Sequence, residues 1–475
     1  MREWEKASWA AGRTESGVIG RVGELVAARV QEMAAAGELV VILAGKGHNG
    51  DDARAAREHL TNGRVQLLNV KDPETGMAEL GKLLEQKPAL IVDGLFGIGL
   101  NRALDEKWSA LIERINEAKT RVLAVDVPSG LNADTGEPEG AAIRASVTLT
   151  LGAPKQGMLR ASAWPYVGRL EVAPEIGLVK CPLTSETNWI LAEDFERFPP
   201  DRAATMHKGD CGRLAIVAGS MGYHGAGVLT ARGAQRAQPG LITLYTQENV
   251  YHSVAPQLQA VMVDLWRPEI KLAGDYNAIL LGPGLAAAGL PDVMKMMTRH
   301  AWRDAPVPVV VDATALDWLP IAPLPKHFIR VITPHPGEAA RLLRASAQQV
   351  QADRPGALRE ISRKLGNCWV VLKGHQTLIG RSTGEIYVNP TGNPHLAQGG
   401  SGDLLAGYLA GLLAQPALQA DPGKAINYAV WEHGAAADRL EGLRKNWVVE
   451  DLAEEIGNEP MGAGRKSASG AAETA

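Results

Sequence analysis

The apolar run Leu39 to Ala44 gives way at once to Gly45-Lys46-Gly47-His48-Asn49-Gly50-Asp51-Asp52, and a helix-like stretch then continues through Arg57 and Leu60. This pattern predicts a buried strand, a tight loop and a helix. The unit recurs where Leu90-Ile91-Val92-Asp93 precedes Gly97-Ile98-Gly99, and again where Val122 to Val125 precedes Asp126-Val127-Pro128-Ser129-Gly130. Strands alternating with helices in this way predict an α/β fold with a parallel sheet covered on both faces. In such sheets ligands sit at the carboxyl ends of the strands, where all three polar clusters fall.

Between residues 179 and 206 the pattern lapses into Lys180-Cys181-Pro182-Leu183-Thr184-Ser185 and Phe198-Pro199-Pro200-Asp201, with one short strand candidate near Trp189. A domain boundary is therefore expected near 180 to 190, separating residues 1–178 from 191–457. A second strand, loop and helix series begins at Arg213 to Ala218 and continues through Ala278 to Leu281, Val309 to Val311, Val331-Ile332 and Trp369 to Leu372. Residues 458–475 are rich in Gly, Ala and Ser without periodicity and are expected to be a disordered tail.

Composition narrows the function classes. The chain has 475 residues, 45% of them hydrophobic and 21% charged, which suits a soluble globular protein. Its 49 basic and 53 acidic side chains leave a net charge of -4, with no excess of base to hold a nucleic-acid backbone. Cys181, Cys211 and Cys368 are too scattered for a disulfide framework or a zinc site, and point to a reducing cytosol. The start Met-Arg-Glu-Trp-Glu-Lys and the lack of a long apolar run argue against a targeting segment and a membrane span. The 52 glycines cluster behind strand-like runs, a distribution that suggests phosphate handling.

Gly399-Gly400-Ser401-Gly402-Asp403 runs into Leu404-Leu405-Ala406-Gly407-Tyr408-Leu409-Ala410, so a buried helix is predicted to begin at Asp403. The amino end of such a helix presents unpaired amides and a positive dipole, and glycines let a phosphoryl group approach. An aspartate there can accept a proton from an attacking hydroxyl, with capping of a core helix as the lesser alternative for this segment alone. Gly282-Pro283-Gly284, Thr333-Pro334-His335-Pro336-Gly337-Glu338 and Lys373-Gly374-His375-Gln376-Thr377 each follow a strand, and together predict a ligand cleft.

With His207-Lys208-Gly209 and Gly219-Ser220-Met221-Gly222-Tyr223-His224-Gly225-Ala226, these segments resemble the NAD(P)HX dehydratases, which have a ribokinase-like fold, over about residues 191 to 456. The resemblance implies that ADP or ATP, with Mg2+, phosphorylates the misplaced hydroxyl of hydrated NADH or NADPH, and that loss of phosphate restores the double bond. It implies Asp403 as the catalytic base, Gly402 and Lys373, Gly374, His375, Gln376 and Thr377 on the nucleotide, and Ala226, Gly284 and His335 on the hydrated cofactor. The fused architecture favours ADP. A vitamin or sugar kinase of the same fold class, carrying a non-catalytic first domain, is the alternative.

The first-domain loops resemble the NAD(P)HX epimerase domain over about residues 1 to 178, which implies a Rossmann-like, three-layer fold. Asn49, Asp93 and Ser129 would supply oxygens to K+, a hard cation. His48, Asn49, Gly50, Asp51 and Asp52, with Gly97, Ile98, Gly99, Leu100, Asn101, Arg102 and Ala103, would bind NADHX or NADPHX. Asp126 would be the acid or base that opens and recloses the ring at carbon six. The family's Asn-Asn-Gly-Gly-Asp-Gly stands here as His48-Asn49-Gly50-Asp51-Asp52-Ala53, and Asp51 is expected to repel a polyanionic ligand. Small molecules are the expected partners, and association into homo-oligomers is left open.

Overall fold

A computed structural model describes residues 1–458 except 62, 273 and 326, so the expected disordered tail beyond 458 lies outside the described residues. The chain divides into two compact units, Met1–Ser185 and Glu186–Ala475. In the first, β1 (Leu39–Ala44), β2 (Arg64–Asn69), β3 (Leu90–Gly94), β4 (Arg121–Val125), β5 (Val147–Leu151) and β6 (Arg169–Ala173) form a six-stranded sheet in the order β2-β1-β3-β4-β5-β6. Every pairing is parallel.

The uniformly apolar strands are explained by cover on both faces. In β1, Val40, Ile42 and Ala44 join Val22, Val26 and Val30 of the helix Glu15–Met33 in one core. Leu39, Val41 and Leu43 point the other way, toward Leu80 and toward Leu111, Ile112 and Ile115 of the helix Glu106–Glu117. This alternation makes a Rossmann-like sandwich of three layers. With β2 and β3 on opposite sides of β1, the connections diverge from the β1/β3 edge and leave a crevice at its carboxyl end.

The segment after β1 differs from the expected loop, since its helix spans His48–His59 and takes in Asn49 to Asp52. Glycines permit this tight entry. A Cβ on Gly50 would lie 2.1 Å from the Gly45 carbonyl oxygen, and one on Gly45 would lie 2.0 Å from that of Leu95, so the ends of β1 and β3 meet backbone to backbone.

The second unit contains β7 (Thr187–Trp189), β8 (Arg213–Val217), β9 (Leu241–Thr246), β10 (Met262–Leu265), β11 (Ala278–Leu281), β12 (Val309–Val311) and β13 (Arg330–Ile332). They are followed by β14 (Trp369–Leu372), β15 (Leu378–Gly380) and β16 (Ile386–Val388). The ten strands run in the order β10-β9-β8-β11-β12-β13-β14-β15-β16-β7. Pairing is parallel except where β15 runs antiparallel to both β14 and β16. The strand candidate near Trp189 is β7, which pairs with β16 and so belongs to this unit. Here too β11 sends Ala278 and Leu280 into one core and Ile279 and Leu281 into the other.

The helix expected from Asp403 begins two residues earlier, spanning Ser401–Leu413, so Asp403 sits in its first turn. It lies against the helix His224–Arg236 at a distance that only glycine allows. A Cβ on Gly407 would stand 1.9 Å from the Thr230 carbonyl oxygen, and one on Gly233 would stand 2.2 Å from that of Leu404. Gly407→Ala therefore drives the helices apart and is expected to destabilise the second unit by about 1–3 kcal/mol. Gly442→Ala, in a helix position with nothing within 4 Å, serves as the control and should be neutral or slightly stabilising. Denaturant midpoints check this: equal midpoints for the two variants would contradict the close contact.

Candidate active sites

In the first unit a cavity of about 670 Å³ opens at the carboxyl ends of β1, β3 and β4. Of the residues anticipated on the ligand, His48, Asn49, Asp52, Gly97, Ile98, Gly99, Leu100, Asn101, Arg102 and Asp126 line it. Gly50, Asp51 and Ala103 are not in its wall. Starting the helix at His48 sets this phase, and turns Asp51 toward Arg54, one turn on, whose Nη2 donates to Asp51 Oδ1 at 2.7 Å. The repulsion expected from Asp51 is thus met by a cation beside it.

The carboxylate that does face the cavity is Asp52. Burial, then Asp126, Asp51 and Glu5, push it up to about 8, against the opposing charge of Lys155. Asp126 takes the left-handed conformation (φ 65°), and its Oδ1 accepts from the Leu151 amide at 3.0 Å and from the Lys155 ammonium. Lys155 also donates to Thr150 Oγ1 and to the Leu151 carbonyl, both at 3.0 Å. Sequence reasoning missed Lys155, although it follows β5 by four residues at the same sheet edge.

Beneath the cavity lies a cluster of oxygens. Ser129 Oγ donates to Asp93 Oδ1 at 2.6 Å, and the Ser129 amide donates to Asp93 Oδ2 at 2.8 Å. Asn49 Nδ2 donates to the Phe96 carbonyl at 2.8 Å, which leaves the buried Asn49 Oδ1 without a partner. Asp93 is fully buried and pushed up to about 6 by desolvation, which hydrogen bonds from Ser129 and Leu95 oppose. An amide oxygen, a hydroxyl, a carbonyl and one carboxylate suit a hard cation of low charge. Among the described residues no group of three or more His, Cys, Asp or Glu could hold a metal ion.

In the second unit the connections diverge from the β8/β11 edge. There the Gly219 amide donates to the Pro283 carbonyl at 2.9 Å and Ser220 Oγ to the Gly284 carbonyl at 2.6 Å. Gly284 is held against Ala226, since a Cβ on it would stand 2.7 Å from that of Ala226. The next strand ends bring in charge. Asp312, after β12, accepts from Thr333 Oγ1 at 2.6 Å and from Lys373 Nζ at 3.1 Å through the same oxygen. Burial pulls the Lys373 pKa down, but Asp312 and Glu338, and then Asp403, hold it above the ordinary lysine value.

Asp403 is pushed up to about 7, first by burial and then by Asp312, with Lys373 opposing and Glu338 adding to the rise. Gly402 faces Lys373, whose ammonium would lie 3.1 Å from a Cβ placed there. A helix amino terminus and a lysine thus converge on one point, a ready site for an anion. His335 caps the helix Pro336–Leu343, its Nδ1 accepting from the Gly337 amide at 3.0 Å while Glu338 accepts from the His335 amide at 2.8 Å.

The loop Lys373 to Thr377 is pinned from below by Arg354, whose guanidinium donates to the carbonyls of Leu372, His375 and Gln376. Gln376 takes a left-handed φ of 52°, and its buried Nε2 has no partner. At the start of the helix that carries Asp403, buried His433 bonds the Ser401 carbonyl at 3.0 Å, and burial pulls its pKa down to about 4. A neutral ring donating from Nε2 fits this contact. Asp312, Arg354 and His433 were all missed from sequence. Asp312 alone carried a signal, an aspartate directly after an apolar strand run, the same pattern that marks Asp93 and Asp126.

The family model described as NAD(P)H-hydrate dehydratase matches residues 214–459, and that of the YjeF-related protein N-terminus matches residues 66–157. The bifunctional NAD(P)H-hydrate repair enzyme Nnr of Gloeobacter violaceus is 35% identical, over 93% of this chain and 92% of its own. That of Coxiella burnetii is 33% identical, over 95% and 96%. A solved ADP/ATP-dependent NAD(P)H-hydrate dehydratase from Bacillus subtilis, co-crystallised with ATP/Mg2+, is 32% identical, with a TM-score of 0.48, over 54% of this chain and 91% of its own. With two relatives matched end to end at this identity, the chain belongs to the family of bifunctional NAD(P)H-hydrate repair enzymes.

Proposed function

We propose that the second unit dehydrates NADHX and NADPHX with Asp403 as its catalytic base, the nucleotide being ADP or ATP carried with Mg2+. Asp403 takes the proton of the C6 hydroxyl as that oxygen attacks the terminal phosphorus, and the nucleotide leaves one phosphate shorter. The C6–O bond then breaks with phosphate as leaving group, and loss of a proton from C5 restores the double bond. The observation that carries this reading is the Asp403 carboxyl, in the first turn of a helix beside Lys373 and titrating near 7, where a general base works best.

Gly402, Lys373, Gly374, His375, Gln376 and Thr377 would hold the nucleotide, and the orphaned Gln376 amide supports that role. Ala226, Gly284 and His335 would hold the hydrated cofactor beside the β8/β11 crevice. Magnesium is commonly bound by one or two carboxylates together with phosphates, a task open to Asp312 or Glu338. The kinase alternative is weakened by the family match over both units.

In the first unit, K+ would be held by Asn49, Asp93 and Ser129, in keeping with the unpartnered Asn49 oxygen. When bound it would fix the three loops and supply positive charge near the cofactor. Asp126 would take and return the hydroxyl proton as the C6–N1 bond opens and recloses on either face. The free thiols suit a reducing cytosol.

Asp403→Asn is expected to fold, bind nucleotide and lose about 10²–10⁴-fold in dehydratase turnover. Phosphate release dependent on NADHX at the parent rate would refute the base. The parent's kcat/KM should rise about tenfold per pH unit up to about 7 and then level, because Asp403 acts only when ionised. Asp312→Asn removes a like charge, so the same limb, read on the remaining activity, should move to lower pH. A limb that stays in place would separate Asp312 from the base. For the first unit, epimerisation measured without nucleotide should be fast in potassium and slow in a large organic cation, and equal rates would rule out the ion site.

A further inference from the structure

The helix Arg2–Ala10 presents two faces with different tasks. Trp4 and Ser8 are buried and bind it to the unit, the Trp4 indole donating to the Val179 carbonyl at 2.7 Å and Ser8 Oγ accepting from the Val179 amide at 3.2 Å. Arg2, Glu5 and Trp9, spaced three and four apart, share the adjacent face, and all three line the cavity that holds Asp126 and Asp52. Glu5 is close enough to help raise the Asp52 pKa.

Trp9 stays 37% exposed although its neighbour Trp4 is 8% exposed, so the core makes little use of this large apolar side chain. A helical rise of about 1.5 Å per residue sets it about 10 Å from Arg2 along the axis. Arg2, Lys46 and Arg102 add three cations to the same cavity wall.

Taking the epimerase reading of the first unit as given, we infer that this helix forms the adenine end of its cofactor site, with the Trp9 indole stacked on the purine. The ring undergoing chemistry belongs at Asp126. It is hydrated and lacks a flat aromatic face, whereas the adenine of the same molecule has one, and an indole contributes most against a flat π system. The three cations suit the pyrophosphate between the two rings. The family model begins at residue 66, so this helix lies outside the segment it matches.

The test uses the full chain without nucleotide, following interconversion of purified NADPHX epimers by chromatography against a blank without protein. Trp9→Ala should raise KM about tenfold with kcat within about twofold, and Trp9→Phe should recover most of the loss. Trp9→Leu keeps apolar bulk without a π face and should behave like Trp9→Ala. Competitive inhibition by 5′-AMP should weaken about tenfold in Trp9→Ala. Unchanged KM and unchanged inhibition in that variant would overturn the inference while leaving the epimerase standing. A parent rate no higher than the blank would sink the epimerase reading. Calorimetry with 5′-AMP would then still decide the subsite, supported if Trp9→Ala removes one binding event and overturned if it does not.

Discussion

Each half of this chain sets several carboxylates at the end of a parallel sheet around a lysine that pairs with one of them. Lys155 bonds Asp126 and leaves Asp52 to feel burial and its neighbours, while Lys373 bonds Asp312 and leaves Asp403 in the same position. The consequence is a division of charge. The unpaired carboxylate is raised toward neutrality in each half, Asp52 to about 8 and Asp403 to about 7. It is this one that serves as the proposed base in the second unit, whereas in the first the proposed acid or base, Asp126, is the one held by the lysine. Removing either lysine would leave two buried carboxyl groups without the cation beside them, so the sites depend on these ion pairs before they depend on any ligand.

Charge can be placed in this way only if the backbone comes close enough, and there the glycines matter. Gly407 and Gly233 bring the helix bearing Asp403 against the helix bearing Ala226, so the base and the cofactor contact are registered by one rigid packing rather than by flexible loops. His433 and Arg354 act from behind, one on the Ser401 carbonyl, the other on the carbonyls under the nucleotide loop. Both side chains are buried, and burial lowers the pKa of each, so each is used as a neutral or costly donor where no water can substitute.

The sequence made legible what depends on local pattern. Strands buried on both faces, such as β1, β3, β11 and β12, stand out as unbroken apolar runs, and the polar residues just after them mark the site edge. Strands without such a run were harder to see. β10 reads Met-Val-Asp-Leu with alternating exposure, and β15 and β16 have three residues each, too short for any period to register. Lys155, Arg354 and His433 were illegible for another reason: their roles come from contacts 21 to 32 residues away in the chain, with Asp126, His375 and Ser401 respectively, which no local pattern encodes.

Helix phase decides what the departures from the family loop mean. A one-residue error in where the helix after β1 begins moves every side chain by about 100° around it. Starting at His48, the helix sends the His48 ring to solvent beside Glu15, at 2.8 Å, and pairs Asp51 with Arg54 off the cavity wall. Ala53, where the family motif named from the sequence has glycine, packs fully buried against Gly94, and a Cβ on Gly94 would lie 2.5 Å from that of Ala53. It is the glycine at the end of β3 that makes room for this methyl group. All three changed positions are therefore accommodated with Asn49 and Asp52 still in the cavity wall, and the charge of Asp51 reaches the site only through the rise it adds to the Asp52 pKa.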